Sequence, residues 1–123
     1  MNLTGFNDEQ KQTLLDLLVM GMYADGRLGD AEDAQIEAVL KTINFSSDSA
    51  RDQFVDASFT RARQHLDSPD ATREFVAGIA KNFPTTDIRR KAYNDLEELV
   101  STEHQAGEKE NRLLTIVREE FKL

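Results

Sequence analysis

Four carboxylates recur at one spacing in two distant parts of the chain. Asp25 is followed by a glycine four positions later and by Glu32 seven positions later, and this arrangement returns 78 residues on at Glu103 and Glu110. The two copies align without gaps over residues 22–33 and 100–111. Carboxylate oxygens are the ligands that hard divalent cations prefer. The pattern makes the two acids of each copy candidates for a cation site or for structural pairing: Asp25, Glu32, Glu103 and Glu110.

The spacing excludes an EF-hand, which needs oxygen ligands at positions 1, 3 and 5, glycine at position 6 and glutamate at position 12. Here Gly26 directly follows Asp25, and Glu32 comes only seven residues after it. An all-oxygen set favours calcium, magnesium or manganese as the bound ion. Zinc would fit only if His104, which follows Glu103, also acts as a ligand.

Helical spacing places each candidate acid at the end of an apolar stripe. The first and fifth predicted helices carry such stripes at +4, +3 and +4 steps: Leu14, Leu18, Gly21 and Asp25, then Ala92, Leu96, Leu99 and Glu103. Glu32 and Glu110 begin similar stripes on the helices that follow. A carboxylate in this position is partly desolvated, which costs free energy unless it is paired, hydrogen-bonded or bound to a cation.

Helix capping is an equally weighted alternative for two of the four acids. If Gly29 and Gly107 are N-caps, Glu32 and Glu110 occupy the third helical position. There a glutamate favours the positive end of the helix dipole and reaches back to the N–H of the cap. Capping explains neither Asp25 nor Glu103, because an acid in the last turn faces the negative end of its own helix. The structural interpretation and the metal interpretation both remain open at this stage.

The elements that must position these acids are predicted to be helices throughout. Two prolines and six glycines among many helix-forming residues leave little room for strands. We predict an all-α fold, a compact single domain over residues 1–123, with six to seven helices and two related helix–turn–helix halves. The first predicted helix has its cap at Asn7 or Asp8 and ends near Ala24, and the second runs from Gly29 or Asp30 to Ile43–Asn44. The third begins at Ser47 or Asp48, and the fourth lies between Ser68-Pro69 and Pro84. The fifth runs from Asp87 to about Val100 or Thr102 with Thr86 as its cap, and the sixth runs from Gly107 to the C-terminus.

The distribution of charge argues against nucleic acid as a partner. The formal net charge is −8, with eight acids against three bases in residues 1–45 and eight against four in residues 93–123. Such a chain repels a phosphate backbone. The basic run Arg89, Arg90 and Lys91 lacks interleaved aromatic residues, so we favour a solvated helix face over a phosphate-binding patch. A protein partner is expected, and its identity is not encoded in any motif.

The sequence offers no recognisable catalytic arrangement. There is no cysteine, no His-Glu-x-x-His, no Gly-x-Ser-x-Gly and no glycine-rich phosphate loop. No apolar run approaches the roughly 18 residues of a membrane-spanning helix, and the first residues do not resemble a signal peptide. We therefore expect a protein that is not an enzyme, has no transmembrane segment and is cytoplasmic.

The stretch LLVMGMYADGRLGDAEDAQIEAVL resembles the first motif of the TerB-like tellurite-resistance family, in which an apolar helix ends in Ala-Asp-Gly before an acidic turn and a glutamate. The second copy is similar but carries Glu103 where aspartate is usual and His104 where glycine is usual. The resemblance covers nearly the whole chain. It implies a helical fold of two related halves, a divalent-metal site formed by the four motif acids, and a role in metal or oxyanion stress. The alternative is an acidic helical interaction module whose motif acids are structural and whose surface docks a basic partner.

Overall fold

The computed structural model describes residues 3–25, 30–101 and 107–123. These residues form six α-helices: α1 (Asp8–Asp25), α2 (Asp30–Leu40), α3 (Asp48–His65), α4 (Pro69–Ala80), α5 (Thr86–Val100) and α6 (Glu108–Phe121). No strand occurs in these three ranges, so the predicted all-α class is confirmed. Within the same ranges, no helix is both long and apolar enough to cross a membrane.

Short polar side chains begin three of the six helices where the sequence predicts: α1, α3 and α4. Asn7 and Gln10 cap α1 reciprocally, since each side-chain oxygen accepts a hydrogen bond from the other residue's backbone N–H, at 2.8 and 3.0 Å. Ser47 and Ser68 accept hydrogen bonds from backbone N–H groups in the first turns of α3 and α4. These bonds satisfy donors that a helix N-terminus leaves without an intrahelical partner.

Three predicted helix boundaries are wrong. The cap of α5 is Thr85 rather than Thr86, because the Thr85 hydroxyl accepts the hydrogen bond from the Ile88 N–H. The second helix ends at Leu40 rather than at Ile43–Asn44, and the fourth ends at Ala80, before Pro84. After its last residue, each helix continues as a tight turn with hydrogen bonds between residues three positions apart. The apolar residues that follow, Ile43 and Phe83, therefore lie in a turn and not in a helix, and both are buried.

Helix α1 is the centre of the bundle. It contacts all five other helices. Its interior residues are apolar around most of the helix and are at most 2% exposed: Leu14, Leu15, Leu17, Leu18, Val19, Met20 and Met22. A helix that is apolar on nearly every side is stable only when other elements surround it. The fold therefore consists of five helices packed around the first.

Helices α1 and α5 lie side by side in the same direction. Before α1 begins, the Thr4 carbonyl accepts a hydrogen bond from Lys91 Nζ near the start of α5, at 2.7 Å. Near the end of α1, Gly21 lies against Leu96 and Val100 in the second half of α5. The two C-terminal ends therefore reach the same end of the bundle. The connections to α2 and to α6 leave from there.

The basic run at the start of α5 contributes to the structure. The Arg89 guanidinium donates hydrogen bonds to the backbone carbonyls of Phe83, Ala80 and Phe121, at 2.7, 3.1 and 3.4 Å. These carbonyls lie at or just after the C-terminal ends of α4 and α6, where cations are favourable. Arg89 and Lys91 thus join separate segments of the chain, and the expectation of a merely solvated face is wrong for Arg89.

Candidate functional site

Two of the four candidate acids are buried at equivalent places in two helices. Glu32 is the third residue of α2 and Glu110 is the third residue of α6. They are 1% and 2% exposed, respectively. Glutamate is among the residue types least often buried to this degree. The sequence-based expectation that both carboxylates extend apolar stripes into a desolvated environment is therefore confirmed for these two residues.

Glu110 acts as part of a helix cap. The backbone N–H of Gly107 donates a hydrogen bond to Glu110 Oε1 at 2.8 Å. A Cβ atom at position 107 would lie 3.3 Å from the same oxygen, so glycine gives the carboxylate room to fold back over the helix end. The predicted capping contact is thus present in α6, and the negative charge lies at the positive end of the helix dipole.

The other two candidate acids are not described to the same extent. Asp25 is the last residue of α1, but its side chain lies outside the described part of the structure. Glu103 and His104 also lie outside it. The repeat at an offset of 78 residues also predicts that the Asp25 and Glu103 carboxylates lie close together, and this stays a prediction. The packing of Gly21 against Leu96 and Val100 does place the helix ends that precede both turns next to each other.

The chemistry of the described donors suits a hard cation. Glu32 and Glu110 supply only carboxylate oxygens, which calcium, magnesium and manganese favour. Within residues 3–25, 30–101 and 107–123, no three histidine or acidic side chains come together as a metal-binding group. The predicted four-acid site also includes Asp25 and Glu103, whose side chains lie outside the described part of the structure.

Asp95 is a buried acid that the sequence analysis did not single out. It lies on α5 and is 4% exposed. The signal was present in the sequence, since position 95 follows Ala92 by three residues and precedes Leu99 by four, which places it on the buried face of the helix. Like Glu32 and Glu110, it is an acid in the buried interior of the bundle.

A cavity of about 290 Å³ opens near the C-terminal end of α1. It lies between the last turn of α1, the connection from α3 to α4, and α6. Tyr23 and Ala24 form one wall, and Lys109 and Arg112 bring positive charge to another. The cavity is separate from the buried faces of Glu32 and Glu110, neither of which lines it.

Comparisons with known protein families, with curated proteins and with solved structures find no match to this chain.

Proposed function

We propose that this protein is a non-enzymatic, TerB-like module that binds a divalent cation with carboxylates at two helix–turn–helix turns and serves in a stress response of the tellurite-resistance kind. Calcium, magnesium or manganese is the preferred ion, and zinc would need His104. The ligands in this proposal are two acids from each of two related halves, α1–α2 and α5–α6: Asp25, Glu32, Glu103 and Glu110.

The observation that carries the proposal is the burial of Glu32 and Glu110 at the same position of two helices. Placing two carboxylates out of contact with water is unfavourable unless other groups or a cation offset the desolvation. The shared direction of α1 and α5 supports the proposal further, because it brings the helix ends before both acidic turns to one end of the bundle. The repeat and the resemblance to TerB-like proteins supply the remaining two ligands.

A thermal melt with and without divalent cations tests this function. A cation that binds only the folded state at 100 times its dissociation constant adds roughly 2.7 kcal/mol to the free energy of unfolding. We expect calcium, magnesium or manganese to raise the Tm of the chelator-treated protein. Metal analysis of protein purified without chelator would identify the ion, and no shift with any of these ions or with zinc would contradict the proposal.

The variants Asp25→Asn and Glu32→Gln distinguish ligands from caps. Asp25→Asn should leave the metal-free Tm unchanged or higher and abolish the shift caused by the ion, since it removes a charge from the unfavourable end of a helix. Glu32→Gln should lower the metal-free stability by roughly 0.5 to 1 kcal/mol, because it weakens the interaction with the helix dipole and cap. Glu103→Gln should behave like Asp25→Asn. Glu74→Gln, at an exposed position on α4, is the matched control.

A second function, that of an acidic interaction module, is favoured by one specific observation. The Gly107–Glu110 hydrogen bond gives Glu110 a structural role that requires no cation. In this alternative the motif acids are caps, and the acidic surface docks a basic protein in the cytoplasm. A thermal melt of Asp25→Asn distinguishes the two functions. If this variant destabilises the metal-free protein more than Glu32→Gln does, Asp25 is a structural hydrogen-bond acceptor. That result would favour the interaction function.

A further inference from the structure

An open groove of about 450 Å³ lies between α2 and α3. Both helices pack on α1, and the Arg51–Glu37 ion pair bridges them. A second groove of about 390 Å³ continues beyond this bridge and shares Glu37, Leu40 and Arg51 with the first. We call the first of these the α2–α3 groove.

The two walls of the α2–α3 groove carry the same pattern of side chains. Each helix contributes an acid, an apolar residue, an acid and an apolar residue at steps of three, one and three positions: Asp33, Ile36, Glu37 and Leu40 on α2, and Asp52, Val55, Asp56 and Phe59 on α3. Such spacing keeps all four residues on one helical face. The groove therefore has apolar side chains from both helices and acids from both helices.

The floor of the α2–α3 groove is continuous with the hydrophobic core. Ile36 and Leu40 are buried, while Val55 and Phe59 are half-buried and remain partly open to solvent. The acids Asp33, Asp52 and Asp56 are exposed. The groove is lined by four carboxylates and by one guanidinium, that of Arg51. Arg51 is already paired with Glu37.

We propose that the α2–α3 groove binds an amphipathic α-helix of another protein that carries an apolar stripe flanked by lysine or arginine residues. An apolar stripe at i, i+3, i+4 and i+7 would cover Val55 and Phe59, in the usual mode of helix-in-groove recognition. The flanking cations would face the acids of both walls, so the charges are complementary. A second copy of this chain is a poorer occupant, because its formal net charge is also −8. This inference develops the interaction function and does not depend on the cation site.

Fluorescence anisotropy with a labelled helical peptide tests the proposal. The probe has leucines at i, i+3, i+4 and i+7 with lysines on both sides, and the control peptide has the same composition in scrambled order. Asp56→Lys should weaken binding of the probe about tenfold by reversing a charge on the wall. Glu74→Lys makes the same change of charge at an exposed position of α4 and should leave the dissociation constant nearly unchanged. Val55→Ser should weaken binding without any change of charge.

Several results would overturn the proposal. Equal binding of the scrambled peptide would mean general attraction to an acidic protein, and absence of probe binding would remove the groove as a helix-binding site. Binding that survives Asp56→Lys would place the partner on another surface and leave the interaction function standing. Self-association in analytical ultracentrifugation that Asp56→Lys abolishes would make a second copy the occupant. Circular dichroism of each variant confirms that the helices are retained, and Asp56→Lys remains decisive should Val55→Ser fail to fold.

Discussion

Tyr93 combines partial burial with a neighbouring acid. It is a half-buried residue on α5, and its hydroxyl lies 3.5 Å from Glu97 Oε2. Burial of the phenol, followed by the charge of Glu97, raises the pKa of Tyr93 above the usual value and outweighs the opposite effect of Arg118. Tyrosinate is therefore harder to form in the folded protein than in the unfolded chain.

We expect Tyr93 to ionise above the usual pKa of about 10. Because the folded-state pKa is raised, the associated stability is complete below the unfolded pKa and is lost as the pH rises through the folded pKa. Ultraviolet titration of the Tyr23→Phe variant measures this directly, since Tyr93 is then the only tyrosine. Adding Glu97→Gln should lower the midpoint, and a midpoint at or below the usual value in Tyr23→Phe would contradict the burial argument.

The sequence predicts individual residues best where a local rule determines their contacts. Glu110 could be placed at a helix cap because the cap glycine precedes it by three residues. The carbonyl partners of Arg89 come from three places in the chain, at residues 80, 83 and 121, so no local pattern indicates them. Partners of this kind are determined by how distant helix ends meet, which spacing within one helix does not report.

At the scale of elements, Gly21 determines how closely α1 and α5 approach. A Cβ atom there would lie 2.8 Å from Leu96 Cδ1 and 3.1 Å from Val100 Cγ1, and both of these side chains are fully buried. In a close-packed core such atoms have little room to move. The glycine therefore permits a helix contact that a larger residue would force apart.

Gly21→Ala and Gly78→Ala should have opposite effects on stability. Gly78 also lies within a helix, α4, but a Cβ atom at that position would meet nothing within 4 Å. Gly78→Ala should raise the free energy of unfolding by about 0.5 to 1 kcal/mol through helix propensity. Gly21→Ala gains the same propensity but should lose about 1 to 3 kcal/mol to overpacking, for a net loss. Urea denaturation measures both, and a stabilised Gly21→Ala protein would show that α1 and α5 separate easily.

The helix boundaries show which part of the fold local chemistry determines. The starts at Asn7, Ser47 and Ser68 follow from side chains that cap nearby N–H groups, and the sequence indicates them. The ends at Leu40 and Ala80 do not follow from any helix-breaking residue at those positions. The next apolar residues, Ile43 and Phe83, reach buried positions because the chain leaves the helix before them. Tertiary packing therefore determines where these two helices end.

At the scale of the whole molecule, α3 is attached through polar contacts and through apolar residues that stay partly open to solvent. Of its 18 residues, only Ser58 and Ala62 are fully buried. Asp16 of α1 accepts hydrogen bonds from Ser58 Oγ at 2.6 Å and from Arg61 Nη2 at 2.8 Å. A helix whose apolar residues stay partly exposed opens at a lower free energy than the fully buried part of a core.

Asp16→Asn should release α3 preferentially. Loss of the charge weakens the bonds to Ser58 and Arg61 and should lower the free energy of unfolding by about 1 to 2 kcal/mol. Hydrogen exchange followed by mass spectrometry should show faster exchange in residues 48–65 of this variant, with a smaller change in α6. Equal acceleration in both helices would mean that α3 unfolds only together with the whole domain.

The central position of α1 has a consequence for how the chain acquires its structure during synthesis. Helix α1 leaves the ribosome before the five helices that must cover it. Its contacts with α5 and α6 join residues far apart in the sequence, and such contacts form slowly because a long loop must close first. Until residues 86–121 have been translated, a large part of the leucine-rich surface of α1 stays uncovered. The nascent chain is therefore exposed to aggregation while α2 to α6 are being made, and chaperones that bind apolar segments should act on α1.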